Sequence, residues 1–109
     1  RYVRSGEVKI VYKKQATLDI QSTRDYISNR LCNEKAAKKL VTSILKAISL
    51  LADNPMMGAS LGEKFEIEND IRYFVVDKQL VFYEITDADT LTILHVLDGR
   101  QDYLAILFG

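Results

Sequence analysis

Cysteine, proline, histidine and tryptophan are scarce in this 109-residue chain, which has one Cys, one Pro, one His and no Trp. A single thiol, Cys32, forms no internal disulfide, and five Gly with one Pro do not make a stapled, loop-rich secreted scaffold. A reducing cytoplasm is the expected compartment. With Cys32 and His95 as the sole thiol and imidazole, no zinc cluster can be assembled. A carboxylate-held Mg²⁺ is the only metal that the composition leaves open, and neither a metal nor another cofactor is expected. No apolar run nears the roughly 20 residues that cross a bilayer, and the start has no apolar h-region, so neither a membrane nor an export role is expected. The chain also lacks G-x-G-x-x-G, a P-loop, H-E-x-x-H, C-x-x-C and a G-x-S-x-G elbow. Nucleotide cofactors, zinc proteolysis and serine hydrolysis therefore have no support.

Net charge is missing too, with 15 basic against 15 acidic side chains. The balance conceals two unlike halves. Residues 1–55 carry 11 basic and 5 acidic side chains, leaving 4 basic and 10 acidic for residues 56–109. A helical surface from the first half attracts an acidic partner, whereas a surface from the second half repels phosphate unless its few cations cluster. What remains is ordinary for a folded protein: 48% hydrophobic and 28% charged residues.

Residues 1–6 show neither a helical nor a strand period and read as an N-terminal arm or cloning remnant, leaving 7–109 as one domain. From Glu7 the apolar residues alternate through Val8, Ile10 and Tyr12, predicting a strand that ends at Lys13-Lys14. Ala16, Ile20, Ile27 and Leu31 share a helical stripe, with Gln15, Asp19, Arg24 and Arg30 on the wet face. A second helix is predicted from an Asn33 cap through Ala37, Leu40, Val41, Ile44, Leu45, Ile48, Leu51 and Ala52, stopped by Asn54-Pro55. A connection over 56–62 leads to a short edge strand at Lys64–Glu68. Strands at Ile71–Val76, Leu80–Ile85 and Leu91–Leu97, with turns at Asp77-Lys78 and Thr86–Asp89, make an antiparallel meander. An apolar tail, Tyr103 to Phe108, must dock or bind something. The order β-α-α-β-β-β specifies a two-layer α+β fold, a helical hairpin packed on one face of an antiparallel sheet. Leu40, Ile44, Ile48 and Leu51 are expected against Tyr73, Val75, Val81 and Tyr83 or their alternates.

Among chemistry-bearing residues, His95 alternates with Ile93 and Leu97, which suggests a packed histidine as readily as a general base. Arg72 opens a strand and Arg100 follows one, positions that suit a phosphate clamp or a surface ion pair. Tyr103 either orients a substrate or anchors the tail. Glu66, Glu68 and Asp70 form an acidic, solvated edge.

The opening Val-Lys-Ile-Val-Tyr, then Ala-x-x-Asp-Ile and Asp-Tyr-Ile on the first helix, closely resemble the start of RelE/ParE-superfamily toxins of type II toxin–antitoxin (plasmid stabilisation) modules. So do Ile-Arg-Tyr-Phe-Val-Val, Leu-Val-Phe-Tyr-Glu-Ile and the terminal His-x-x-x-x-Arg-x-Asp at His95, Arg100 and Asp102. The resemblance spans about 7–108 and implies the same β-α-α-β-β-β fold. It also implies a growth inhibitor neutralised by a small antitoxin whose C-terminal segment folds on the toxin. Two mechanisms occur in that superfamily. RelE-like members are metal-independent ribonucleases that cut mRNA on the ribosome, and ParE-like members inhibit DNA gyrase by binding it. Carried over, Arg72 and Arg100 resemble phosphate-binding arginines, with His95 or Tyr103 as the proton-transfer group. The acidic second half is a poor anchor for ribosomal RNA, which favours the ParE-like reading. The mRNA interferase is the alternative, and an inactive interaction module that keeps the fold is a third. For the antitoxin, the expected contacts are the basic positions Lys35, Lys38, Lys39 and Lys46 and the tail residues Leu104, Leu107 and Phe108.

Overall fold

A computed structural model describes residues 8–109; the proposed arm at 1–6 and the predicted strand start at Glu7 lie outside the described residues. Its elements are β1 (Lys9–Tyr12), α1 (Lys14–Asp25), a π turn (Tyr26–Arg30), α2 (Glu34–Ser49), a 3-10 turn (Leu50–Ala52), β2 (Ala59–Ser60), α3 (Leu61–Phe65), β3 (Arg72–Val76), β4 (Gln79–Asp87), β5 (Thr90–Asp98) and α4 (Tyr103–Phe108). The strands form one sheet in the order β1-β5-β4-β3-β2, antiparallel except that β1 runs parallel to β5.

Local chemistry explains the best-defined parts. Asn33 caps α2 by accepting the Ala36 amide at 3.0 Å, and the helix gives way to a 3-10 turn before Pro55. Asp77 and Lys78 both adopt positive φ (47° and 71°), the two-residue turn whose twist suits a hairpin, between the paired Val76 and Gln79. The second hairpin is tighter than expected. β4 continues to Asp87, which pairs with Thr90 across Ala88-Asp89.

One face of the sheet packs under the α1–α2 hairpin, where Ala16, Ile20, Ile44, Ile48 and Leu51 meet Val81, Tyr83, Leu91, Ile93 and Val96. Val81 and Tyr83 therefore face the helices, as expected. On β3 it is the alternates Phe74 and Val76 that do so, because Phe74 lies opposite Val81, while Val75 is exposed. Removing such side chains from water contributes roughly 1.5–3 kcal/mol each, so this layer is a large part of the stability.

Three expectations need correction. Lys64–Glu68 is not an edge strand. Ser60 accepts the Glu63 amide and starts α3, and Glu66 ends it in the left-handed region at φ 55°; the short strand on this edge is Ala59–Ser60. The tail docks on the sheet and does not stand free as a whole for a partner. Tyr103, Leu104 and Leu107 of α4, with Leu61 and Phe65 of α3, cover Ile71, Leu80, Phe82 and Leu97 in a second core. Finally, Ile27 and Leu31 do not continue the Ala16–Ile20 stripe, because the π turn breaks the 3.6-residue period and leaves Leu31 exposed.

Candidate functional site

β1 ends at Tyr12, although the Lys13 amide still donates to the Ile93 carbonyl. Beyond Ile93 the outer edge of β5 has no strand beside it among the described residues, and α1 takes over. Asp19 accepts the Val96 amide on Oδ2 at 3.0 Å and places the same oxygen 2.8 Å from His95 Nδ1. The side chains of His95 and Asp19 are 18% and 10% exposed. A carboxylate only accepts, so Nδ1 carries the proton towards Asp19, which in the neutral ring makes Nε2 the acceptor. The helical period puts Asp19 on the wet face, yet it turns in to His95 and Val96, a role that sequence reasoning misses. Its place between the buried Ala16 and Ile20 was the available signal.

His95 also sits differently along its strand. Phe82 pairs with His95 but Tyr83 pairs with Ile93, so Leu94 is the extra residue of a bulge. The bulge reverses the alternation. Ile93 packs under the helices while Leu97 packs in the second core, and His95 does not share a face with Ile93.

Arg72 binds backbone. Its Nε donates to the Gly58 carbonyl at 2.9 Å and an Nη to that of Met56 at 3.3 Å. Tyr83 holds the same loop, its hydroxyl donating to the Pro55 carbonyl and accepting the Gly58 amide, both at 2.8 Å. A Cβ on Gly58 would lie 2.7 Å from that hydroxyl and 2.8 Å from the Tyr73 carbonyl, so the approach requires glycine.

Arg100 makes a two-pronged contact, Nε to Asp98 Oδ1 and Nη to Oδ2, each 3.0 Å, and its amide donates to the same carboxylate at 2.8 Å. The Arg100 guanidinium thereby holds the Asp98 carboxyl below its usual range, and Asp98 in turn raises Arg100. Tyr103 stacks in the second core, its ring centroid 5.4 Å from Phe82 and 6.2 Å from Phe65.

These four candidates do not converge. Arg72 lies opposite Tyr83, on the helix-hairpin side of the sheet, whereas His95 lies opposite Phe82, on the side that carries Tyr103. Arg100 sits on the loop beyond β5 beside the π turn. Lys35, Lys38, Lys39 and Lys46 are exposed on α2; Leu104 and Leu107 turn inward, and Phe108 is exposed. No group of three or more His, Cys, Asp or Glu is placed to hold a metal ion among the described residues. None of the described helices is long and apolar enough to cross a membrane.

Residues 10–103 match the family described as the ParE toxin of the type II toxin–antitoxin system parDE. The chain belongs to that toxin family. The toxin also resembles a solved structure of the chromosomal ParDE toxin–antitoxin system from P. aeruginosa, with a TM-score of 0.70 and 16% identity over 86% of this chain and 98% of that one. A weaker likeness is to TrmO from P. aeruginosa, with a TM-score of 0.50 and 12% identity over 89% of this chain but 36% of the other. At these identities the two structures speak for the fold of the toxin. No curated protein matches its sequence.

Proposed function

We propose that this toxin stops growth by binding a protein target, DNA gyrase, in the cytoplasm, and that a cognate antitoxin protein neutralises it. The observation that carries the reading is the dispersal of the groups a ribonuclease needs. RNA cleavage by a metal-free site calls for a base at the 2′-OH, cations at the phosphate and an acid at the leaving oxygen, all within reach of one phosphodiester. Here Arg72 is bonded to two loop carbonyls, Arg100 to Asp98, and Tyr103 is packed between two rings, on different parts of the molecule. The acidic second half adds to this by disfavouring ribosomal RNA.

One feature favours the alternative, an mRNA interferase. Asp19 orients His95 at 2.8 Å, and a cavity of about 350 Å³ beside it is lined by Lys13, Gln15 and Glu84, a base and a cation together. Purified components separate the two. Inhibition of gyrase supercoiling at stoichiometric toxin, with ribosome-bound mRNA left intact, is the expected result. Cleaved message with normal supercoiling would replace this reading by the ribonuclease.

A further inference from the structure

The spacing of Ile27 and Leu31 makes them core residues, yet the π turn carries them to a groove instead. Tyr26 and Leu31 are 52% and 56% exposed, and together with Ile27 they form its apolar wall. The facing wall comes from the start of β4 and the end of β5, where Gln79, Asp98 and Arg100 line a cavity of about 580 Å³. That volume suits a few side chains of a bound segment.

Gln79 is the second observation. It is only 6% exposed, and its Oε1 has no hydrogen-bond partner. Buried acceptors are nearly always paired, and this one, on a residue of the cavity lining, has no donor from the described residues. Arg100, its side chain 88% exposed, spends two guanidinium N–H groups on Asp98 and keeps three for a further acceptor.

Charge selects the occupant. The helical hairpin from Lys14 to Ser49 carries seven basic side chains against three acidic ones, and one of those three, Asp19, is turned in towards His95. An apolar wall beside a guanidinium with N–H groups to spare, next to the cationic hairpin, suits an acidic polypeptide. We infer that this groove seats an acidic, extended segment of the antitoxin. An aliphatic or aromatic side chain enters between Tyr26, Ile27 and Leu31, and a neighbouring carboxylate meets Arg100. The inference rests on the reading that a protein antitoxin neutralises the toxin.

The test is titration of the purified cognate antitoxin into the toxin and three variants, each first checked by a thermal melt. Leu31→Asp and Arg100→Glu should each weaken binding at least tenfold, with Arg100→Glu also flattening its salt dependence, while Val75→Asp, exposed on β3 and outside the groove lining, leaves affinity unchanged. Folded Leu31→Asp and Arg100→Glu proteins that bind like the parent would overturn the groove assignment and leave the toxin–antitoxin reading standing. An antitoxin that fails to bind the parent toxin would remove both. Leu31→Asp that loses growth inhibition at unchanged antitoxin affinity would give the groove to the target, and a dimer dispersed by Leu31→Asp would give it to a second copy; either result rejects the inference.

Discussion

Asp19 and His95 meet across the seam between α1 and β5, with Oδ2 2.8 Å from Nδ1, and the same oxygen closes the Val96 amide that no strand pairs. One carboxylate oxygen thus serves both the sheet edge and the imidazole. Asp19→Ala leaves a largely buried amide and ring without an acceptor and should cost about 1–3 kcal/mol, read by urea unfolding. His95→Gln discriminates function. A toxin that works by binding should keep its growth inhibition, whereas a ribonuclease should lose roughly 10²- to 10⁴-fold in cleavage rate.

Tyr83→Phe removes both hydroxyl bonds that hold the loop at Pro55 and Gly58. The expected loss is about 1–3 kcal/mol, because the Gly58 amide is left buried without a partner. Limited proteolysis should then cut near Met56 and Met57 before the helices. Gly58→Ala should be at least as damaging, since the added methyl meets the Tyr73 carbonyl, which is backbone and cannot swing away.

Alkaline stability should depend on Tyr12. Burial raises its phenol above the usual value of about 10. The folded state therefore holds that proton more tightly than the unfolded chain, so the stabilisation is complete below pH 10 and declines as pH rises through the folded value. Tyr12→Phe should flatten the fall in thermal midpoint above about pH 10, where the unfolded chain's phenol ionises before the folded one. An identical alkaline slope in the two proteins would refute this.

The tail should be probed by substitution rather than removal. Leu104 and Leu107 are part of the second core, so deleting 104–109 should unfold the protein or lower its melt sharply. Ile106 and Phe108 are exposed on the other side of α4, and Ile106→Asp with Phe108→Asp should leave the melt nearly unchanged. Loss of growth inhibition in that folded double variant would place the target contact on this helix; undiminished inhibition would exclude it.

Elements set by neighbouring residues were readable in the sequence. The Asn33 cap, the stop before Pro55 and the Asp77-Lys78 turn each depend on side-chain or backbone preferences a few residues apart. The strand alternation likewise placed Val81 and Tyr83 on the helix side. The misreadings all come from contacts made at a distance or from broken periods. A one-residue bulge at Leu94 moves His95 to the other face, and a π turn moves Leu31 from core to surface. Asp19 looks like any solvated helix residue until β5 is laid beside it. For the candidate site, the residue types were visible, but their separation onto two faces depends on register, which composition does not carry.

The parallel pairing of Ile10 with Leu91 places the first strand of the described residues against the last. A growing chain at the ribosome has no partner for β1 until β5 has emerged, and β4 likewise lacks its main neighbour. Contacts between such remote segments are slow to form, since loop closure precedes any gain from them. Synthesis at about 5–20 residues per second leaves the helical hairpin waiting over an unfinished sheet for seconds. Prematurely ended products that stop before Thr90 would lack the strand that joins β1 to the rest of the sheet, so growth inhibition is reserved for molecules translated past β5.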